Sequence, residues 1–436
     1  MPTLNDPFTL PTGRTLAHRL VKAAMTEGLA DDHNRATARH VTLYRRWAEG
    51  GAALLVTGNV QVDRRYLERA GNVAIDGPQD GEARAALRAW AEAGQDAGSQ
   101  VWVQLSHAGR QTPKPVARVP VAPSAVRLGL PGGQFGTPRA LTDAEVEDVI
   151  ERFVHAATVC QQTGFDGVQI HSAHGYLLSE FLSPRVNRRD DRWGGSLANR
   201  ARLLLTIVRR IRDAVGSTFA VSVKLNSADF QKGGFAFDDC LQVVTWLNER
   251  GLDLLEISGG TYEQPKMLSI DGIEPLFEED AALRASTRRR EAYFLKYAEA
   301  VREVATMPLM VTGGFRSRAG IDEALTSGAL DLVGLGRPLC LDPAACRKVL
   351  DGSVDALEDV EARMRLGPGW LGPASPFDLV KALNGFAKMG WYYEQLYRLA
   401  DGQDVEASLS LLRALVAYQT TERRRARALN RAPASP

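Results

Sequence analysis

Cysteine is scarce in this chain. Cys160, Cys240, Cys340 and Cys346 are the four thiols in 436 residues. One C-x5-C pair aside, they stand too far apart for a zinc or iron–sulfur ligand set, so they read as buried reduced thiols and no metal is expected. Long apolar runs are missing too: nowhere do roughly 18 apolar residues follow one another. The opening "MPTLNDPFTLPTG" has neither the basic start nor the apolar stretch of a secretory signal. The chain is therefore expected to be soluble and cytoplasmic, with no membrane partner. An excess of charge of one sign is also lacking. The 53 Lys and Arg against 52 Asp and Glu give no global electrostatic pull toward nucleic acid, and small molecules become the favoured partners.

What is present is a repeated unit. Short β-branched runs alternate with helical stretches, the pattern of βα units around a parallel sheet. Eight strands are predicted, at 19–26, 52–58, 101–107, 167–171, 219–225, 254–260, 308–314 and 332–337. The clearest helix starts at Thr142, where Glu145 completes a capping box. Eight such units predict an α/β fold of the (β/α)8 TIM-barrel class, which typically needs about 250 residues. The surplus falls in two loop excursions, Gln111 to Arg139 after strand three and Thr261 to about Leu283 after strand six, and in a helical C-terminal extension. Residues 1–350 are expected to form the barrel and 351–436 the extension, packed on or beside it. Both excursions leave from the strand ends where barrel enzymes keep their active sites, so they read as lids or pocket walls. The helical tail is also a candidate interface for a homo-oligomer.

Alternation along a barrel strand sends successive side chains to the helix layer and to the axis. In strand three Val101, Val103 and Leu105 oppose Gln104; in strand five Val221, Val223 and Leu225 oppose Lys224. The aliphatic sets suit the helix layer, so Gln104 and Lys224 point inward, as do Thr26 and His171 at the ends of strands one and four. An inward lysine is costly unless something anionic compensates it. A ligand is the expected source, with Glu256 on strand six as the one internal alternative. Strands seven and eight end in "VTGG" and "GLGRP", placing Gly313, Gly314, Gly336 and Arg337 where this architecture usually binds phosphate. A phosphorylated, planar, hydrogen-bonding cofactor fits both halves of the mouth, and FMN is such a molecule. Gln104 would meet its pyrimidine edge, and Lys224 the N1 and C2 oxygen side, where reduction leaves negative charge.

The stretch "IHSAHGYL" at 170–177 adds His171, His174 and Tyr176 at the exit of strand four. As H-x-x-H it could serve a metal-dependent hydrolase, but that needs a further ligand the sequence does not place. Together with "HSAHGYLLSEFLSPRVNRRDDRWGGSLANRARLLL" (171–205) and "VQLSHAGRQ" (103–111), it closely resembles the Old Yellow Enzyme family of NAD(P)H:flavin oxidoreductases, over nearly the whole barrel. The resemblance implies flavin contacts at Ala24, Met25, Thr26, Gly58, Gln104, Lys224, Gly314, Gly336 and Arg337. It implies a substrate-binding pair at His171 and His174 and a proton donor at Tyr176. Many members carry proline where Ala24 stands and arginine where Lys224 stands. Thr26 is cysteine in one branch of the family and threonine in another.

By that resemblance the chain is an FMN-dependent ene-reductase. NADH or NADPH reduces the flavin and leaves, and an activated alkene, an α,β-unsaturated carbonyl or nitro compound, then takes the hydride at its β-carbon through flavin N5. His171 and His174 would donate hydrogen bonds to the activating oxygen as charge grows there, and Tyr176 would protonate the α-carbon. A demethylase or isomerase on the same barrel is the alternative. No cysteine follows Cys346 to supply an iron–sulfur relay, so the electrons are expected from a dissociable nicotinamide dinucleotide.

Overall fold

A computed structural model describes residues 2–130, 133–258 and 295–429; the predicted excursion after strand six lies outside them. Eight parallel strands close a barrel: β1 (Leu20–Lys22), β2 (Leu54–Val56), β3 (Gln100–Ser106), β4 (Gly167–Ser172), β5 (Ala220–Asn226), β6 (Leu254–Ser258), β7 (Leu309–Thr312) and β8 (Leu332–Leu335). Each pairs with its sequence neighbours, and β8 returns to β1. The predicted (β/α)8 barrel is the fold, with every strand where its apolar run placed it. The first prediction ran long: β1 stops at Lys22 and residues 24–26 leave the ladder at the barrel mouth.

Between the strands run α1 (Ala38–Glu49), α2 (Gly81–Gln95), α3 (Asp143–Gln162), α4 (Leu197–Val215), α5 (Phe237–Leu247), α6 (Leu295–Arg302) and α7 (Arg318–Thr326). Local chemistry sets their starts. Thr142 accepts from Glu145 N–H while Glu145 reaches back to the Thr142 N–H, the predicted capping box, and Asp80 and Ser196 cap α2 and α4 in the same way. The apolar faces of the helices and the outward strand residues form one large core.

Inside the barrel a smaller core of Val21, Leu54, Val56, Trp102, Ala220, Leu254, Met310 and Leu332 fills the floor. Leu10 and Leu16 from an N-terminal hairpin (Phe8–Thr9 with Thr15–Leu16) join it from below. One inward step further along, the residues turn polar: Trp102 gives way to Gln104, Ala220 to Ser222 and Lys224, Leu254 to Glu256, and Met310 to Thr312. The floor is sealed by packing, and the chemistry is gathered at the mouth.

After β8 come the short helices Pro338–Leu341 and α8 (Ala345–Leu350), then α9 (Asp378–Ala400) and α10 (Leu411–Leu429). These last two pack on each other and α9 lies along α1, where Arg39 pairs with Asp401 at 2.6 Å. Arg69, buried in the loop after β2, stacks 3.8 Å over the ring of Tyr393 on α9, with Glu422 of α10 at 3.7 Å. Among the described residues no helix is long and apolar enough to cross a membrane.

Candidate active site

The inward glutamine and lysine are joined through Gln169, which the sequence reading did not single out, and Glu256, which it named as the internal alternative. Gln104 Nε2 donates to Gln169 Oε1 at 2.7 Å, Gln169 Nε2 donates to Glu256 Oε2 at 2.8 Å, and Lys224 Nζ lies 2.8 Å from Glu256 Oε1. Register makes this so, since Gln104 stands beside Gln169 and Lys224 beside Glu256 on neighbouring strands. The charge expected from a ligand is therefore supplied within the barrel, by the carboxylate named as its alternative. Gln169 shares the parity of His171, and the same count would have found it.

At the end of β4 His171 points to the mouth, and the chain then turns through a left-handed backbone at His174 (φ 62) and Gly175 (φ 81). Several bonds hold this turn. The His174 N–H donates to Asn226 Oδ1 at 3.1 Å, its carbonyl accepts from Gln111 Nε2 at 2.9 Å, and Ser179 Oγ accepts from the Gly175 N–H at 2.9 Å. Gln111 opens the excursion after β3, which thus begins as a wall of the site. Tyr176 then caps the short helix Leu177–Leu182. The result is a triangle of rings, His171 lying 5.0 Å from His174 and 4.9 Å from Tyr176 between centroids.

All three are buried. Burial keeps both imidazoles neutral, far below the ordinary histidine range; His174 and Lys224 add to the effect at His171, and Lys224 adds to it at His174. The Nε2 of His174 is 2.7 Å from Ser258 Oγ. His171 Nδ1 is buried with no hydrogen-bond partner among the described residues, and so is Thr312 Oγ1 across the mouth. Buried polar atoms are rarely left so, and here they lie where a ligand would meet them.

The remaining predicted residues ring the same face. Ala24, Met25 and Thr26 follow β1 and Gly58 follows β2. A Cβ on Gly58 would stand 2.0 Å from the Met25 carbonyl oxygen, so glycine alone lets the two strand ends approach. Glu27 staples them: Oε1 accepts from the Gly58 N–H at 3.1 Å, from the Tyr44 hydroxyl, and from Lys22 Nζ at 3.4 Å. Lys22, fully buried against Tyr44 and Trp47 of α1, escaped the sequence reading because it faces the helix layer, where parity predicts an aliphatic residue.

Gly313 and Gly314 lie at φ 121 and 85, values that side chains rarely tolerate. Gly336 and Arg337 follow β8. Arg337 was read as a guanidinium standing beside these glycines; it is also half of an ion pair, with Nη1 2.6 Å from Glu361 Oε2. Glu361 takes Arg316 at 3.1 Å and the Tyr392 hydroxyl of α9 at 2.9 Å on its other oxygen. Arg316, two residues beyond the glycines, was missed because a lone arginine after a strand carries no pattern. Among the described residues no group of three or more His, Cys, Asp or Glu side chains is placed to hold a metal ion.

Residues 3–355 match the model of the NADH:flavin oxidoreductase / NADH oxidase family. The chain is 38% identical over 360 residues to the NADH-dependent flavin oxidoreductase iliE of Hypocrea jecorina (strain QM6a), across 79% of this chain and 88% of that protein. It is 38% identical over 353 residues to the protein of the same name from Neonectria sp. (strain DH2), across 77% of this chain but 45% of that longer protein. The barrel superposes on the old yellow enzyme homologue from Zymomonas mobilis with a TM-score of 0.67 at 24% identity, covering 83% of this chain and 96% of the other. The chain belongs to the NADH:flavin oxidoreductase / NADH oxidase family, whose cofactors are FMN and a nicotinamide nucleotide.

Proposed function

We propose that this member of the family reduces activated C=C bonds, those conjugated to a carbonyl or nitro group, with NADH or NADPH as electron donor. When bound, FMN supplies the two-electron relay, accepting a hydride from the nicotinamide and passing one to the alkene. The chain's own residues do the rest. The donor set at the mouth suits the cofactor: Gly313, Gly314, Gly336 and Arg337 for its phosphate, and Ala24, Met25, Thr26, Gly58, Gln104 and Lys224 for its ring. The ion pair with Glu256 fixes the direction of the Lys224 side chain, toward where the pyrimidine side of the ring would lie.

The observation that carries the reading is the ring triangle with His171 Nδ1 buried and unpartnered among the described residues. A neutral imidazole donates through one nitrogen only, so the pair can hold an uncharged carbonyl or nitro oxygen and stabilise it as negative charge grows. Tyr176, one ring away, gives its proton to the α-carbon. The product leaves, and a solvent proton restores the phenol.

Half-reactions test this. Under anaerobic conditions NADH or NADPH should bleach the yellow FMN-loaded protein, and a cyclic enone should restore the colour. A protein that takes up no FMN, or one whose colour no enone restores, would overturn the proposal.

A further inference from the structure

Beside the tyrosine stands a residue to which nothing so far gives a part. Asn59 follows Gly58 at the end of β2 and is 6% exposed. Its Nδ2 lies 3.3 Å from Tyr176 Oη and 3.2 Å from Thr26 Oγ1. Its backbone carbonyl accepts from Asn72 Nδ2 at 3.2 Å, which anchors it to the loop beyond. The tyrosine and the asparagine are 117 positions apart; only closure of the barrel brings them together.

The Asn59 amide turns its NH2 group toward both hydroxyls, and one of its hydrogens goes to Thr26 Oγ1, which accepts. The second hydrogen of the same NH2 group faces Tyr176 Oη. The phenol oxygen accepts there, so its own O–H is not spent on Asn59.

We infer that Asn59 is a positioning residue for the proton donor, its amide holding Tyr176 Oη and stabilising the phenolate left when the proton departs. The inference rests on the reading of Tyr176 as the acid. In that step the phenol O–H bond breaks and a C–H bond forms at the α-carbon. The O–H electron pair stays on Oη as negative charge, until solvent returns a proton. A hydrogen bond to a charged acceptor is roughly twice as strong as one to a neutral acceptor, so Asn59 favours the state after transfer over the state before it. Among the described residues the ionisable groups around the phenol are His171 and His174, both held neutral by burial, and beyond them Lys224, paired with Glu256, and Glu68, which takes Asn72 Nδ2 at 3.5 Å. Asn59 is the described residue whose amide meets the phenol oxygen itself.

The test reads the tyrosine directly. With tyrosine carrying carbon-13 at the ring carbon that bears oxygen, the Tyr176 signal is assigned by its loss in Tyr176→Phe and followed against pH in the FMN-loaded protein. Asn59→Ala should raise the titration midpoint by about one unit or more, as for loss of a hydrogen bond to a charged group. Asn59→Asp, nearly isosteric and therefore safer for folding, should raise it further, since a carboxylate opposes the phenolate. An unmoved midpoint in either folded variant overturns the assignment. The two readings fail separately. If Tyr176→Phe leaves reoxidation by an enone unchanged, the acid role falls even where the midpoint has shifted. If Tyr176→Phe slows reoxidation and the midpoint stays put, Asn59 alone loses its part.

Discussion

Lys224 and Glu256 face each other twice: as register partners on β5 and β6, and through side chains 2.8 Å apart in the barrel interior. Breaking such a pair from one side strands a buried charge, at a typical cost of about 3–5 kcal/mol. Glu256→Gln should therefore lower the urea midpoint sharply, and Lys224→Met added to it should recover a large part of the loss. Equal stability of Glu256→Gln and the parent protein would mean that the lysine finds its compensation elsewhere.

On the proposed mechanism Tyr176→Phe removes the acid and the acceptor of the Asn59 amide, while the ring still packs on His171. Reoxidation of the reduced protein by an enone should slow by roughly 10²–10⁴, the usual worth of general acid catalysis, while bleaching by NADH keeps its rate. Stopped-flow absorbance separates the two steps, and parallel loss in both would point to a distorted site.

Arg337 carries a charge suited to a phosphate, and Glu361 fixes its direction. Arg337→Ala should weaken FMN binding about tenfold or more, the scale of a charge-assisted hydrogen bond. Riboflavin, which has no phosphate, provides the control. Its affinity should not change, and a matching loss for both flavins would remove the phosphate role from this arginine.

Burial lowers His107 to about 4 and His40 to about 3. Unfolded imidazoles take up protons below about 6.5 while these do not. The unfolded state then binds more protons, so the stability is complete above pH 6.5 and is lost as pH falls toward 4. Urea midpoints should drop over that window, by the order of 1 kcal/mol per pH unit for each such imidazole. His107→Asn should flatten the slope; a slope that begins only below pH 4 would assign acid lability to carboxylates instead.

Strand parity makes the polar barrel mouth legible in the sequence, because period-two alternation leaves Gln104, Lys224 and His171 no outward option. The same rule hid Lys22, whose cost is met by Glu27 from five residues on and Tyr44 from the next helix. Asn59 and Glu361 were beyond reach for another reason. Neither lies on a strand or belongs to a motif, and each gains its meaning from a partner that only tertiary packing delivers. Arg337 shows the mixed case: its position at the strand end was legible, its ion pair was not.

The left-handed turn at His174 also decides where this site can go by single substitutions. At φ 62 a β-branched or bulky replacement is strained, whereas asparagine and glycine enter such backbone readily. Asparagine would preserve both the loop and a side-chain donor, so on the proposed reading exchange at this position is the cheapest route by which the pocket could acquire a different taste in substrates. His171, on a regular strand, has no such bias, and the two positions are free to diverge at unequal speeds.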